Sequence, residues 1–326
     1  MIRRRGTIVL ALVGVAALSG CANVNPRPDY ERAATYVAEA TGQDALYQPG
    51  DDQVVAEKVD ALLDGGLTAD EAVQAALLNN PRLQAAFMTV GMARADVVQS
   101  GLLSNPSLSV ALRFPAGGGL ANLEAGLAQD IAALWQIPAR QRAAERSLDR
   151  HILELARQAA ELAAETKRTY FRAVAAEEQH TLAEESLSVA RNLLELAETR
   201  QQAGAGNQLD VNLSRTVVVE ADLAVELTRL NAAAARRTLA TLLGVSSQVL
   251  EAIALSPLPE APAEIPDAET LIEAALRARL DIRAARQVVL AAKARVEEEY
   301  RRVFPTFELG VALERAERKR QGGRDV

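Results

Sequence analysis

Hydrophobic and polar positions along the chain follow two periods. Over most of it, apolar residues recur at the three-and-four spacing of a helix; in short stretches they alternate instead. Ala72, Val73, Ala76 and Leu77 mark a helix beginning at Thr68, where Glu71 three residues on completes a capping box. Pro81, after Asn79-Asn80, kinks or restarts that helix, and the pattern then runs to Leu103. Leu108, Val110, Leu112 and Phe114 next alternate with Ser107, Ser109, Ala111 and Arg113, which predicts a strand with one apolar and one polar face. Pro115-Ala116-Gly117-Gly118-Gly119 turns the chain into a weaker strand over Asn122–Asp130, completing a β-hairpin.

A helix then starts at Pro138, a residue well tolerated in the first helical position, and meets neither Pro nor Gly until after Ala203. That length predicts a coiled coil. Leu148, Leu155 and Leu162 step by seven, as do Leu182, Val189, Leu196 and Ala203, which implies a left-handed seam. The helix breaks at Gly204-Ala205-Gly206-Asn207, and a return helix runs from Leu209 to Leu243, stopped by Gly244. Residues 22–66 read as a mixed segment. Its turns fall at Asn25-Pro26, Pro28-Asp29, Pro49-Gly50 and Gly65-Gly66, with a short helix over 54–63. Four prolines in 256–266 make a linker.

Residues 67–113 reappear as 266–312 at a constant offset of 199, without a gap. Ala75, Ala76, Leu77, Val90, Val97 and Pro106 meet Ala274, Ala275, Leu276, Val289, Val296 and Pro305. Self-similarity of this kind is an architectural signal. The second copy again predicts a helix, over 267–302, and a strand with Phe307, Leu309, Val311 and Leu313 on one face. At ~1.5 Å per residue, 138–203 spans roughly 100 Å and the two shorter helices roughly 54 and 52 Å. Two half-length helices laid end to end therefore match one long one, with the hairpin at one pole of a rod and the glycine bend at the other.

Composition narrows the class. Aromatics make up only 3% of the chain, too few for two large compact cores, whereas Ala and Leu suit thin helix-on-helix layers. A net charge of −7 disfavours nucleic acid as a partner. Arg3-Arg4-Arg5, an apolar stretch over 7–18 and Leu18-Ser19-Gly20-Cys21 form a secretory signal, since about 12 apolar residues fall short of the roughly 20 needed to span a bilayer.

Enzymatic machinery is not expected. His151 and His180 lie 29 residues apart on one helix, and Cys21 is the single thiol, so neither a zinc site nor an intrachain disulfide is predicted. No Gly-rich loop followed by Lys-Ser or Lys-Thr offers a phosphate cradle. Gly117-Gly118-Gly119 reads as a hairpin turn. Glu177-Glu178, Glu184-Glu185 and Glu297-Glu298-Glu299 read as solvated or intersubunit charge, with the lining of a cation-favouring tunnel as the alternative. No catalytic residue, metal or cofactor is assigned.

Residues around Cys21 resemble the lipobox of bacterial lipoproteins, in which the cysteine is lipidated and becomes the mature N-terminus; Ala22 after it implies sorting to the outer membrane. Three stretches together resemble the TolC family of outer-membrane efflux proteins: 67–83, 104–110, and 200–211 with Ala240-Thr241-Leu242-Leu243-Gly244. The resemblance implies a mainly α fold of long antiparallel, coiled-coil-like helical hairpins. Short strands would join an intersubunit transmembrane β-barrel, in a homotrimer whose protomers each give four strands. It implies a periplasmic adaptor protein and an inner-membrane pump as partners, with passive export as the activity. Gly204, Ala205, Gly206, Asn207, Gln208 and Leu209 match the tip that contacts the adaptor. The expected organisation is a signal peptide (1–20), a lipidated segment (21–66), a first repeat (67–255), a linker (256–266), a partial second repeat (267–313) and a charged tail (314–326). With one strand and no long hairpin in its second repeat, the chain is expected to be incomplete, a fragment or the product of a truncated or frameshifted gene, and unable alone to seal a pore. The competing reading is a lipid-anchored periplasmic coiled-coil protein, structural or adaptor-like, without a pore.

Overall fold

The computed structural model describes residues 22–44, 46–114, 121–258, 267–303 and 307–315. In chain order these form α1 (Arg27–Thr41), α2 (Asp52–Leu63), α3 (Ala69–Asn79), α4 (Pro81–Ser100), β1 (Ser107–Arg113), β2 (Asn122–Asp130), α5 (Ala133–Gln202), α6 (Gln208–Leu243), α7 (Ser247–Glu251), α8 (Ala268–Ala278), α9 (Leu280–Arg302) and β3 (Glu308–Arg315). The mainly helical fold with a small β part is as the sequence implied. Two compact units share these elements. A helical unit holds Asp29–Val90 and Ile152–Arg283; a sheet unit holds Gly91–His151 and the described residues of Met1–Pro28 and Ala284–Val326.

In the helical unit, the repeat is structural as well as sequential. Thr68 caps α3 by accepting from the Glu71 N–H, and the Glu71 carboxylate accepts from the Thr68 N–H at 2.8 Å. The helix ends at Asn80, whose extended backbone still donates its N–H to the Ala76 carbonyl. Asn80 Oδ1 then accepts from the Arg82 and Leu83 N–H groups, starting α4. At the offset of 199, Asp267 caps α8 through the Thr270 N–H, and the extended Arg279 donates to Ala275. The buried face of α3 (Ala72, Val73, Ala76 and Leu77) is the one the pattern predicted.

Long-range polar contacts tie this unit together. Asn79 Nδ2 donates to the Leu243 and Gly244 carbonyls (3.1 and 2.9 Å), and Asn80 Nδ2 to Leu242 (2.9 Å), so the C-terminus of α6 abuts the break between α3 and α4. Leu67 and Leu255 form a parallel bridge, and the buried Tyr170 hydroxyl from α5 lies 2.6 Å from the Leu67 carbonyl and 3.0 Å from that of Ser256. Arg236 pairs with Glu177 and donates to the carbonyls of Leu250, in α7, and of Ile253 just beyond it.

Three sequence expectations need correction. Pro28-Asp29 is no turn: Asn25 Oδ1 accepts from the Arg27 N–H and Pro28 sits in the first turn of α1, where its missing N–H costs nothing. Tyr30, Ala33 and Val37 are the buried stripe of that helix, and Tyr30 and Tyr47 meet the Phe87 ring edge-on. Second, α5 starts at Ala133 rather than Pro138. Asp130 Oδ1 accepts from the Ala132 N–H and tight i→i+3 bonds from Leu134 and Trp135 launch the helix directly from β2. Third, the upper heptad seam of α5 is displaced. Leu182, Val189 and Leu196 are more than half exposed. The positions sheltered along α5 are His180, Ala183, Leu187, Ala190, Leu194 and Ala197, and those along α6 are Val211, Ser214, Val218, Ala221, Val225 and Thr228. Both sets step by three and four, the heptad spacing. Two apolar stripes compete on α5, and the intrachain partner takes the one lined with Ala, which lets the backbones approach closely.

The sheet unit carries an antiparallel sheet in the order β1-β2-β3. Arg140 of α5 caps the end of α4, donating to the Ser100 and Leu102 carbonyls (2.8 and 2.7 Å), and Arg142 pairs with Glu297 of α9 at 2.8 Å. Ala93, Val97, Ala139, Ala143 and Leu148 are buried here.

Candidate functional site: an apolar sheet face and a glycine tip

Register makes the two faces of the sheet chemically opposite. Leu108, Val110 and Leu112 of β1 face Leu127, Ala125 and Leu123 of β2, which face Val311, Leu313 and the backbone of Arg315 on β3. Side chains alternate across a strand, so these residues share one side. Leu108 is 74% exposed, as is Leu313, so no part of the described chain covers this face. The opposite face is small or acidic. Ser109 lies across from Gly126 and Gly126 from Ala312; Glu124 lies across from Glu314, and Asp130 from Glu308. Like charges directly opposite one another destabilise a sheet. Arg113 offsets part of this by pairing with Glu124 at 3.2 Å, and Asn122 Nδ2 donates to Glu314 at 2.9 Å. Both outer edges, on β1 and β3, lack a strand partner among the described residues.

The second feature is the turn between α5 and α6. The Ala205 N–H donates to the Arg200 carbonyl and the Gly204 N–H to Gln201 (2.8 and 2.9 Å), the paired closure of a Schellman motif. Gly204 supplies its left-handed residue at φ +75°. Asn207 Oδ1 accepts from the Asp210 N–H and caps α6, while Gln201 Nε2 donates to Gln208 Oε1. Ala205, Gln208 and Leu209 are exposed. Gly204, Ala205, Gly206 and Asn207 thus form the turn, and Gln208 and Leu209 open α6 beside it. Below it, exposed Leu209, Leu213, Leu223 and Leu227 of α6, with Leu182, Val189 and Leu196 of α5, leave apolar surface without a cover among the described residues.

Cys21, expected to carry lipid, Gly117-Gly118-Gly119, expected to turn the hairpin, Pro305, most of the expected proline linker and residues 316–326 lie outside the described residues, whereas Glu314 and Arg315 of the expected charged tail belong to β3. Among the described residues no three His, Cys, Asp or Glu side chains converge as a metal site, and no helix is long and apolar enough to cross a membrane.

The fold has close counterparts among solved structures. The channel protein CusC superposes with a TM-score of 0.61 at 19% identity, covering 76% of this chain and 60% of its own. The outer-membrane channel OprN gives 0.60 at 22% identity, covering 83% and 62%. The CmeC outer membrane channel of Campylobacter jejuni gives 0.61 at 18%, covering 74% and 55%. The chain thus spans between 55% and 62% of the length of these three. No curated protein sequence matches it. The model of the outer membrane efflux protein family matches residues 72–245, from the buried face of α3 to the cap of α6, which is more than half of the chain; the protein belongs to that family, as its TolC-like motifs implied.

Proposed function

We propose that the chain is a wall component of a passive outer-membrane efflux conduit. One observation carries this reading: among the described residues, a sheet with an uncovered apolar face, a small and acidic opposite face and two edges without a strand partner. In hydrocarbon an open edge leaves backbone groups unpaired at several kcal/mol each (about that scale). The strands therefore act as part of a barrel closed between chains, with the apolar face toward lipid and the acidic face toward the lumen. A homotrimer is the assembly that the family resemblance favours. The exposed leucine stripes of α5 and α6 are the surfaces on which neighbouring copies would pack, completing a helical tunnel. Gly204, Ala205, Gly206, Asn207, Gln208 and Leu209 form the contact for a periplasmic adaptor, through which an inner-membrane pump supplies the energy. Lipid attached at Cys21 anchors the mature chain to the outer membrane.

The test separates insertion from anchoring. A Cys21→Ala variant, exported on a signal without a lipobox, should resist alkaline carbonate extraction from outer membranes. Release into the soluble fraction would replace this reading with that of a lipid-anchored periplasmic coiled-coil protein without a pore.

A further inference from the structure

Asn122 opens β2 almost wholly buried, at 8% exposed, and its Oδ1 has no hydrogen-bond partner among the described residues. A buried acceptor left unmatched is costly, so it marks a place where a donor or a cation belongs. The neighbours decide which. Side chains alternate across a strand, so Asn122 shares the polar face of the sheet with Glu124, two residues on, and with Arg113, its partner on β1. Glu314 of β3 lies directly across from Glu124. Asn122 Nδ2 donates to Glu314 Oε1 at 2.9 Å, which holds the other end of the same amide, Oδ1, beside that carboxylate.

Arg113 donates to Glu124 Oε2 at 3.2 Å. Glu124 Oε1 and Glu314 Oε2 have no such partner among the described residues. One guanidinium against two carboxylates leaves a net negative charge. A water molecule would satisfy Asn122 Oδ1 and leave the two carboxylates facing each other. A cation answers both needs. Carboxylate and amide oxygens are the donors of Ca²⁺, which tolerates irregular geometry and completes its shell with water. Two carboxylates and an amide oxygen make up the set, rather than three acidic side chains. The opposite end of the β2–β3 pair lacks these features. Asp130 lies across from Glu308 there, but Asp130 Oδ1 already accepts from the Ala132 N–H at 2.9 Å, and Asn122 Oδ1 is the sole orphaned side-chain oxygen on the described strands.

We propose that Asn122, Glu124 and Glu314 form a divalent-cation site, suited to Ca²⁺, that clips β2 to β3 at the end of the sheet away from the helices, with Arg113 positioning Glu124. β2 follows the first copy of the repeat and β3 closes the second, so the ion ties the two copies together. The site needs only the β2–β3 register, and it stands whether or not the sheet joins a barrel between chains.

The full chain in non-ionic detergent is dialysed against radiolabelled Ca²⁺, with ionic strength held constant by KCl. Saturable binding is expected with a Kd of about 10⁻⁴–10⁻³ M, the range of weak oxygen-ligated sites. Glu314→Gln keeps an oxygen for Asn122 Nδ2 but removes the charge, and should weaken binding about tenfold. Glu308→Gln, in the other facing pair, should leave binding unchanged. In the unaltered chain, the Asn122 side-chain amide resonance should shift along the same Ca²⁺ titration and stay in place when K⁺ alone is varied; this readout serves even if the Glu314 variant fails to fold. No saturable binding, equal losses in the two variants, or an Asn122 resonance that ignores Ca²⁺ or follows K⁺ equally overturns the proposal. None of these outcomes bears on carbonate resistance, which tests the conduit reading separately.

Discussion

Gly204 and Gly244 provide a matched pair for measuring what holds α6 to the break between α3 and α4. Both end a helix in the left-handed region, at φ +75° and +70°. They differ in their surroundings. A Cβ on Gly204 would meet nothing within 4 Å, whereas one on Gly244 would lie 2.4 Å from the Asn79 carbonyl oxygen. Gly204→Ala should therefore cost about 1–2 kcal/mol, the cost of holding an L-residue left-handed. Gly244→Ala adds a clash with backbone that cannot rotate away. Relief requires drawing α6 back from the Asn79 and Asn80 amides, with loss of the bonds to Leu242, Leu243 and Gly244. At roughly 0.5–1.5 kcal/mol each, these three bonds and the left-handed residue together bring the total to about 2.5–6.5 kcal/mol. Urea unfolding of the full chain in detergent, followed by far-UV circular dichroism, reads the global effect. Amide hydrogen exchange near residue 204 and near residue 244 separates the two local ones. If Gly244→Ala proves no more costly than Gly204→Ala, the junction is not under the steric control argued here.

Tyr170→Phe should lose about 1–2 kcal/mol in the same unfolding experiment, because the single hydroxyl proton shared between the Leu67 and Ser256 carbonyls is lost; unchanged stability would show that those carbonyls are satisfied without it. Val110→Arg, on the apolar sheet face, should abolish carbonate-resistant insertion, since a mid-bilayer arginine costs about 2–4 kcal/mol, while Ala111→Arg on the opposite face should preserve it; equal effects would refute the assignment of the two faces. The Arg279 guanidinium bonded to the Asp281 carboxylate holds its pKa at about 2, so the pair supports the start of α9 above the ordinary carboxylate range and loses that support as pH falls from about 3.8 through about 2. A carboxyl NMR titration should show this midpoint, and Arg279→Gln should raise it toward the ordinary value.

Local rules were legible in the chain because they are satisfied within a few residues. Thr68 with Glu71, Asn79-Asn80 before Pro81 and Gly244 after Leu243 each carry their own hydrogen-bonding logic, and all mark real helix ends. The alternation of β1 was equally plain, since one residue of slip would put Ser107, Ser109 and Arg113 on the apolar side. Pro28-Asp29 was not legible, because the same pair opens a turn or a helix and only burial of Tyr30, Ala33 and Val37 against the rest of the helical unit selects the helix.

The seam of α5 shows the same limit on a larger scale. Leu182, Val189 and Leu196 carry a seven-residue step as good as that of Leu187 and Leu194, and period alone cannot rank two stripes on one helix. The facing Val and small residues of α6 rank them, and they come from a separate segment of chain. Distance in sequence also hid the contacts of Arg301 with Trp135 and of Phe307 with Ile131, since more than 160 residues separate the partners in each pair. Periods, caps and the two-faced strands could be read along the chain, because those depend on neighbours along the backbone. Tertiary structure alone decided which equivalent stripe is covered, where α6 stops against Asn79 and Asn80, and which distant residues pair, because each depends on surfaces brought together from distant parts of the chain.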